Sequence, residues 1–154
     1  MTSLAAMSEV AFGRFLKRTV PEYAGEKVAA GNWPIEGSLE RSRAEFKQLL
    51  PNGVQTKDNF LYTIMQGDFE AGAIWLAGSE DQSRGFIYEL YVEEANRGRG
   101  IAYAAMRLLE LKALQHGFKS LGLHVFGHNR VAQRLYEKLG FAVTNINMTK
   151  ALEP

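Results

Sequence analysis

The chain has 154 residues, 46% of them hydrophobic, and 18 basic against 17 acidic side chains leave a formal charge of +1. That length suits one well-buried domain, residues 1–154, rather than two, and the near-neutral balance excludes nucleic acid or an anionic membrane as the expected partner. With no cysteine, disulfides, thiolate nucleophiles and cysteine-ligated metals are excluded as well.

The opening MTSLAAMSEV has no basic n-region and meets Glu9 before any long apolar run, so it does not read as a signal peptide. No stretch approaches the ~20 apolar residues of a membrane span, and a cytoplasmic protein is expected. Ser8 suits an N-cap, with Val10, Phe12 or Phe15, Leu16 and Val20 at helical spacing up to Pro21. Pro21 is expected to open a second short helix ending at Gly31. After a loop carrying Trp33, Ser38 caps a third helix through Arg41, Phe46 and Leu50, stopped by Pro51-Asn52-Gly53. From Asn59 the period changes. Phe60 to Met65 and Phe69 to Ala77 flank the turn Gln66-Gly67-Asp68 as an antiparallel hairpin.

The stretch Phe86 to Tyr103, FIYELYVEEANRGRGIAY, runs from β-branched and aromatic residues through a glycine-bearing turn into a helix with no breaker before Gly117. Such a strand, turn and helix N-terminus aims unpaired backbone N–H groups and the positive end of the macrodipole at one point, which suits a phosphate or pyrophosphate. No Gly-Lys-Ser or Gly-Lys-Thr occurs, so this is not a Walker A loop. Counted from Gly98, the last position of a dinucleotide fingerprint falls on Tyr103, too bulky for close helix packing. In the helix, Ile101, Ala105, Leu108 and Leu111 are expected on the buried face. Ser120 to Phe126 reads as a strand, parallel to Phe86–Val92 because a right-handed crossover joins them. A helix from Asn129 to Leu139 and a closing strand from Phe141 to Met148 complete the chain.

Two segments carry a resemblance. Arg97, Gly100 and Ala102 at the end of Leu90-Tyr91-Val92 form R-x-x-G-x-A, and Asn129 to Phe141 reads NRVAQRLYEKLGF. In this order and spacing the chain resembles the GNAT superfamily of N-acetyltransferases, and LHVFGHN at Leu123 to Asn129 is similar to a small bacterial subgroup of unassigned substrate. The resemblance implies an α/β fold with a mixed, mostly antiparallel sheet of six or seven strands, helices on both faces, and a splay between two central parallel strands. It also implies transfer of an acetyl group from acetyl-CoA to a primary amine, by direct attack in a ternary complex, with no metal. A non-catalytic CoA-binding sensor using the same cleft is the alternative. A small-molecule or peptide amine is the implied partner, and a homodimer is compatible with the sequence.

The family implies roles for particular residues. Leu90, Tyr91 and Val92 would bind pantetheine through backbone groups, and Gly98, Arg99, Gly100, Ile101, Ala102 and Tyr103 would meet the pyrophosphate, with Arg97 and Arg99 in reach of phosphates. Asn129, Ala132 and Tyr136 share one helical face; Asn129 would hydrogen-bond pantetheine, Ala132 would leave room for it, and Tyr136 would be the general acid to the CoA thiolate. As plain helix residues, Asn129 is an N-cap and Tyr136 a half-buried aromatic. For the base, Glu89 on the central strand is placed ahead of His124, with Glu89 assigned to the face of Ile87 and Tyr91, opposite Tyr88 and Val92. Trp33, Glu89 and Tyr91 are candidates for the acceptor side. His124 and His128 sit on a strand and a loop, without the i, i+4 geometry of a metal pair, so no metal site is expected.

Overall fold

The computed structural model describes residues 1–154 as a five-stranded sheet in spatial order β1-β2-β3-β4-β5 with four helices. The strands are β1 (Thr2–Ala6), β2 (Asn59–Gln66), β3 (Phe69–Gly78), β4 (Arg84–Val92) and β5 (Ser120–Leu123); the helices are α1 (Glu9–Ala29), α2 (Ser38–Leu49), α3 (Ile101–Gln115) and α4 (Arg130–Lys138). β1 to β4 pair antiparallel, and α3 carries the chain from β4 to a parallel β5. The hairpin β2–β3 forms as its alternation predicts.

Each face of the sheet buries a separate apolar layer. On one face Ile64, Ile74, Leu76, Ile87 and Val92 pack against Ile101, Ala105, Met106, Leu109 and Ala113 of α3. On the other, Leu61, Ala73 and Trp75 pack against Ala11, Phe15 and Val20 of α1 and Phe46 of α2. Leu109 is fully buried, so Leu109→Ala should cost roughly 2–5 kcal/mol. The buried stripe of α3 runs through Met106 and Leu109 rather than Leu108 and Leu111. α3 is apolar around most of its circumference, and the sheet takes the i, i+4 row of Ile101, Ala105 and Leu109, which leaves Leu111 57% exposed.

Several expectations need correction. Residues 9–29 form one helix that continues through Pro21. Pro21 cannot donate to the carbonyl four residues back, but packing of Phe15 and Val20 on one side and Ala24 on the other holds the axis, and the Val20 carbonyl accepts from the buried Ser42 hydroxyl at 2.6 Å. Gly37, at φ 77°, precedes α2 in the capping position, and Ser38 is the first helical residue. β1 lies in the segment read only for its lack of a signal peptide. The strand expected at Phe141–Met148 does not form, because residues 142–154 make no backbone hydrogen bond, so the sheet has five strands, not six or seven. β5 stops at Leu123, since β4 diverges from it there.

Candidate active site

The divergence has a local cause. Leu76 on β3 pairs with Ile87, and Trp75 pairs with Glu89, so Tyr88 is an extra residue on β4, a β-bulge. Parallel pairing of β4 with β5 ends at Ile87 and Leu123, one residue before the bulge. Beyond it a gap opens between Tyr88–Val92 and the segment from His124 to Phe126. The bulge also corrects the side-chain alternation. Ile87, Leu90 and Val92 lie on the α3 side, whereas Tyr88 stacks on Trp75 at 4.5 Å and Tyr91 packs with the α1 layer. Glu89 responds to Arg18, Glu22 and Glu26 of α1, so it shares the face of Tyr88 and Tyr91 and opposes Ile87.

Electrostatics bring residues from three elements together here. Burial, reinforced by the charges of Glu22 and Glu26 and only partly offset by Arg18, pushes the Glu89 carboxyl up to about 8. Tyr136, on α4, is pushed up to about 12 by burial and by the charges of Glu89 and Glu26. Glu26 itself is raised by burial, against the pull of His128. Arg18 lies 3.2 Å from the Tyr91 ring centroid and 3.0 Å from a Glu22 carboxylate oxygen. Tyr23, Trp33 and Phe126 form an aromatic wall at the same end, with ring centroids 5.7 and 6.5 Å from that of Tyr23. His124 is exposed and sits edge-on to Phe126 at 4.9 Å; it is absent from the charges that act on Glu89 or Tyr136.

At the far end of β4 the chain turns through Gly98 and Gly100, at φ 76° and 75°. The left-handed backbone favours glycine at both positions. Gly100 precedes α3 without a side-chain cap, and none of the amides from Gly98 to Tyr103 donates to a protein acceptor. These are free N–H groups at the positive end of a 15-residue helix. Arg97 Nε donates to the Val92 carbonyl at 2.9 Å and so closes the turn, while Arg99 is exposed. Lys138 of α4 stands 4.8 Å from the Tyr103 ring centroid, which places a second cation beside the amide row. Asn129 caps α4, its Oδ1 accepting from the Ala132 N–H at 3.1 Å, and its amide nitrogen remains free for another acceptor.

Residues 32–141 match the model of the acetyltransferase (GNAT) family. The chain belongs to the GNAT acetyltransferase family. Two Bacillus subtilis proteins described as uncharacterized N-acetyltransferases align over almost their whole length: YdgE is 34% identical over 97% of this chain and 98% of its own, and YycN is 36% identical over 97% of each. The crystal structure of YycN superposes with a TM-score of 0.95 over 100% of both chains. A structure of AAC(6')-Iy with a CoA-containing bisubstrate analog shares the fold at a TM-score of 0.61 and 14% identity. This GNAT chain is therefore an acetyltransferase, which sets aside the sensor alternative, and the family draws on acetyl-CoA. Sequence reasoning passed over Arg18, and it gave His128 and Lys138 no part in the site although both lie in the motifs that carry the resemblance. Packing sets what each one meets: Arg18 lies on Tyr91, His128 acts on Glu26 and Lys138 lies on Tyr103.

Proposed function

We propose that the protein transfers an acetyl group from acetyl-CoA to a cationic primary amine by direct attack, in the gap between β4 and β5. The observation that carries this reading is the carboxyl of Glu89, held near 8 on β4 and sensed by the phenol of Tyr136, held near 12 on α4. One is poised to take a proton near neutral pH and the other to keep one.

The cosubstrate supplies an activated acetyl thioester. The free amides of Gly98 to Tyr103 suit its pyrophosphate, with Arg99 and Lys138 as cations within reach. The backbone of Leu90, Tyr91 and Val92 and the free amide of Asn129 suit the pantetheine arm, beside the small Ala132. Glu22, Glu26 and Glu89 attract the ammonium form of the acceptor, and Trp33 and Tyr91 line its approach. Glu89 takes a proton from that ammonium so that a neutral amine attacks, and Tyr136 donates from its Oη to the departing sulfur. The two transfers reinforce one another. Burial and Glu26 still hold the Tyr136 phenol up, but once Glu89 is protonated its share of that rise is gone and the phenol becomes a stronger acid than before.

Release of CoA thiol across a panel of amines tests the reading, and the chain has no cysteine of its own to react with the detecting reagent. Turnover is expected with small di- and polyamines before neutral or anionic amines. Equal turnover of anionic and cationic acceptors would remove the role given to the acidic residues.

A further inference from the structure

Two groups on facing elements are left without the partner that each could give the other. Arg18 of α1 lies over the Tyr91 ring, 3.2 Å from its centroid, and its Nη2 stands 3.0 Å from a Glu22 carboxylate oxygen. Its Nη1 is buried and makes no hydrogen bond, an arrangement that costs stability unless the group serves something else. Glu89, two residues before Tyr91 and on the same face of β4, forms no ion pair. On α1, Arg18, Glu22 and Glu26 follow at i, i+4 and i+8, one row of the helix, and that row carries the side-chain charges that act on Glu89. The other neighbours add none. β3 presents the neutral Trp75 opposite Glu89, α2 presents Glu45, which acts on Tyr23, and β4 itself carries Tyr91 and Glu93. Across the gap stand the Tyr136 phenol of α4 and, after β5, His124 and His128.

Taking Glu89 as the base from the function proposed above, we propose that Arg18 is a positioning residue, the counter-ion that the Glu89 carboxylate meets from the α1 side. Stacking on Tyr91 uses the face of the guanidinium and leaves its edge N–H groups for carboxylates. One fork then serves two acids, Glu22 through Nη2 and Glu89 through Nη1. Without Arg18 the row would present only Glu22 and Glu26 to Glu89, and three like charges would share one face. Arg18 acts on the reaction through Glu89 and on no reacting atom.

The experiment titrates the Glu89 carboxyl directly, by carbon-13 NMR of the full chain labelled in glutamate, with the Glu89 line identified by its loss in Glu89→Gln. Arg18→Gln should move the midpoint up by about one pH unit, Arg18→Lys should move it less than half as far, and Glu22→Gln should move it down. Three results overturn the proposal: a midpoint unmoved in Arg18→Gln, as packing on Tyr91 alone predicts, one moved as far in Arg18→Lys, or one moved up in Glu22→Gln. Turnover separates this assignment from the role of Glu89 as base. If that role holds, the rising limb of kcat/KM follows the carboxyl midpoint in each variant, and Arg18→Gln loses about tenfold at pH 7, the change in ionised fraction that one unit brings below the midpoint. A limb that stays put while the carboxyl moves overturns the base and leaves Arg18 as the counter-ion of Glu89.

Discussion

At the scale of single residues, the gap confines two groups whose ionisations oppose one another. Tyr136→Phe removes one hydroxyl, and kcat should fall roughly 10²-fold or more while the dissociation constant of acetyl-CoA stays put. A matching loss of affinity in calorimetry would make Tyr136 a packing residue. In the proposed mechanism Glu89 sets the pH profile. Its role requires the ionised carboxylate, so kcat/KM should rise with pH through about 8, and Glu89→Gln should flatten that limb whereas His124→Gln should leave it unchanged. Stability moves in the opposite sense. The folded-state value of about 8 lies above the ordinary 4.5, so the folded chain holds a proton that the unfolded chain has released. The stability this adds is full below about 4.5 and is lost as pH rises through about 8. In melts, Glu89→Gln should therefore gain on the natural chain between roughly pH 5 and pH 9, by several degrees, since about 1 kcal/mol moves Tm by roughly 2–4 °C in a chain of this size. Glu89 and Tyr136 could be nominated from the sequence, Glu89 by its place on the central strand and Tyr136 by the Asn129–Phe141 motif. Arg18 could not, because Tyr91, whose ring it covers, lies more than seventy positions away.

At the scale of elements, the turn between β4 and α3 answers to backbone conformation more than to side-chain chemistry. Gly100→Val should cost roughly 1–3 kcal/mol for a side chain held at positive φ, leave the chain folded, and lower CoA affinity by at least tenfold in calorimetry. An unchanged affinity would mean that the free amides serve nothing. The turn and α4 were readable because glycine spacing and capping chemistry are local. β5 was located but drawn too long, since its end is set by the neighbour that leaves it. Pro21 was read as a helix break on local grounds, and packing of α1 on the sheet and α2 overrode it. The face assigned to Glu89 was half right: strict alternation holds from Glu89 to Val92, but the bulge inverts the relation to Ile87 and Tyr88. No sequence pattern announces an extra residue in a ladder.

At the scale of the whole molecule, the apolar layers on the two faces of the sheet meet at β3 and β4, so a ligand in the gap should be felt as global stability. CoA at about 100 times its dissociation constant should stabilise by about 2.7 kcal/mol, seen as a rise in Tm, while ATP or NAD at equal concentration should do little. Equal protection by ATP would reassign the pocket. The strand count was the least legible property, because whether Phe141 to Met148 pairs depends on what lies beside it rather than on its own composition. The bulge at Tyr88 has one more consequence. With Tyr88 deleted, every rung of β3 with β4 could still close, Glu89 would stay opposite Trp75 on the α1 face, and β4 could run beside β5 past Leu123 without opening. A shortening by one residue would then keep the fold and erase the gap, so the activity depends on how many residues lie between two rungs as well as on which residues they are.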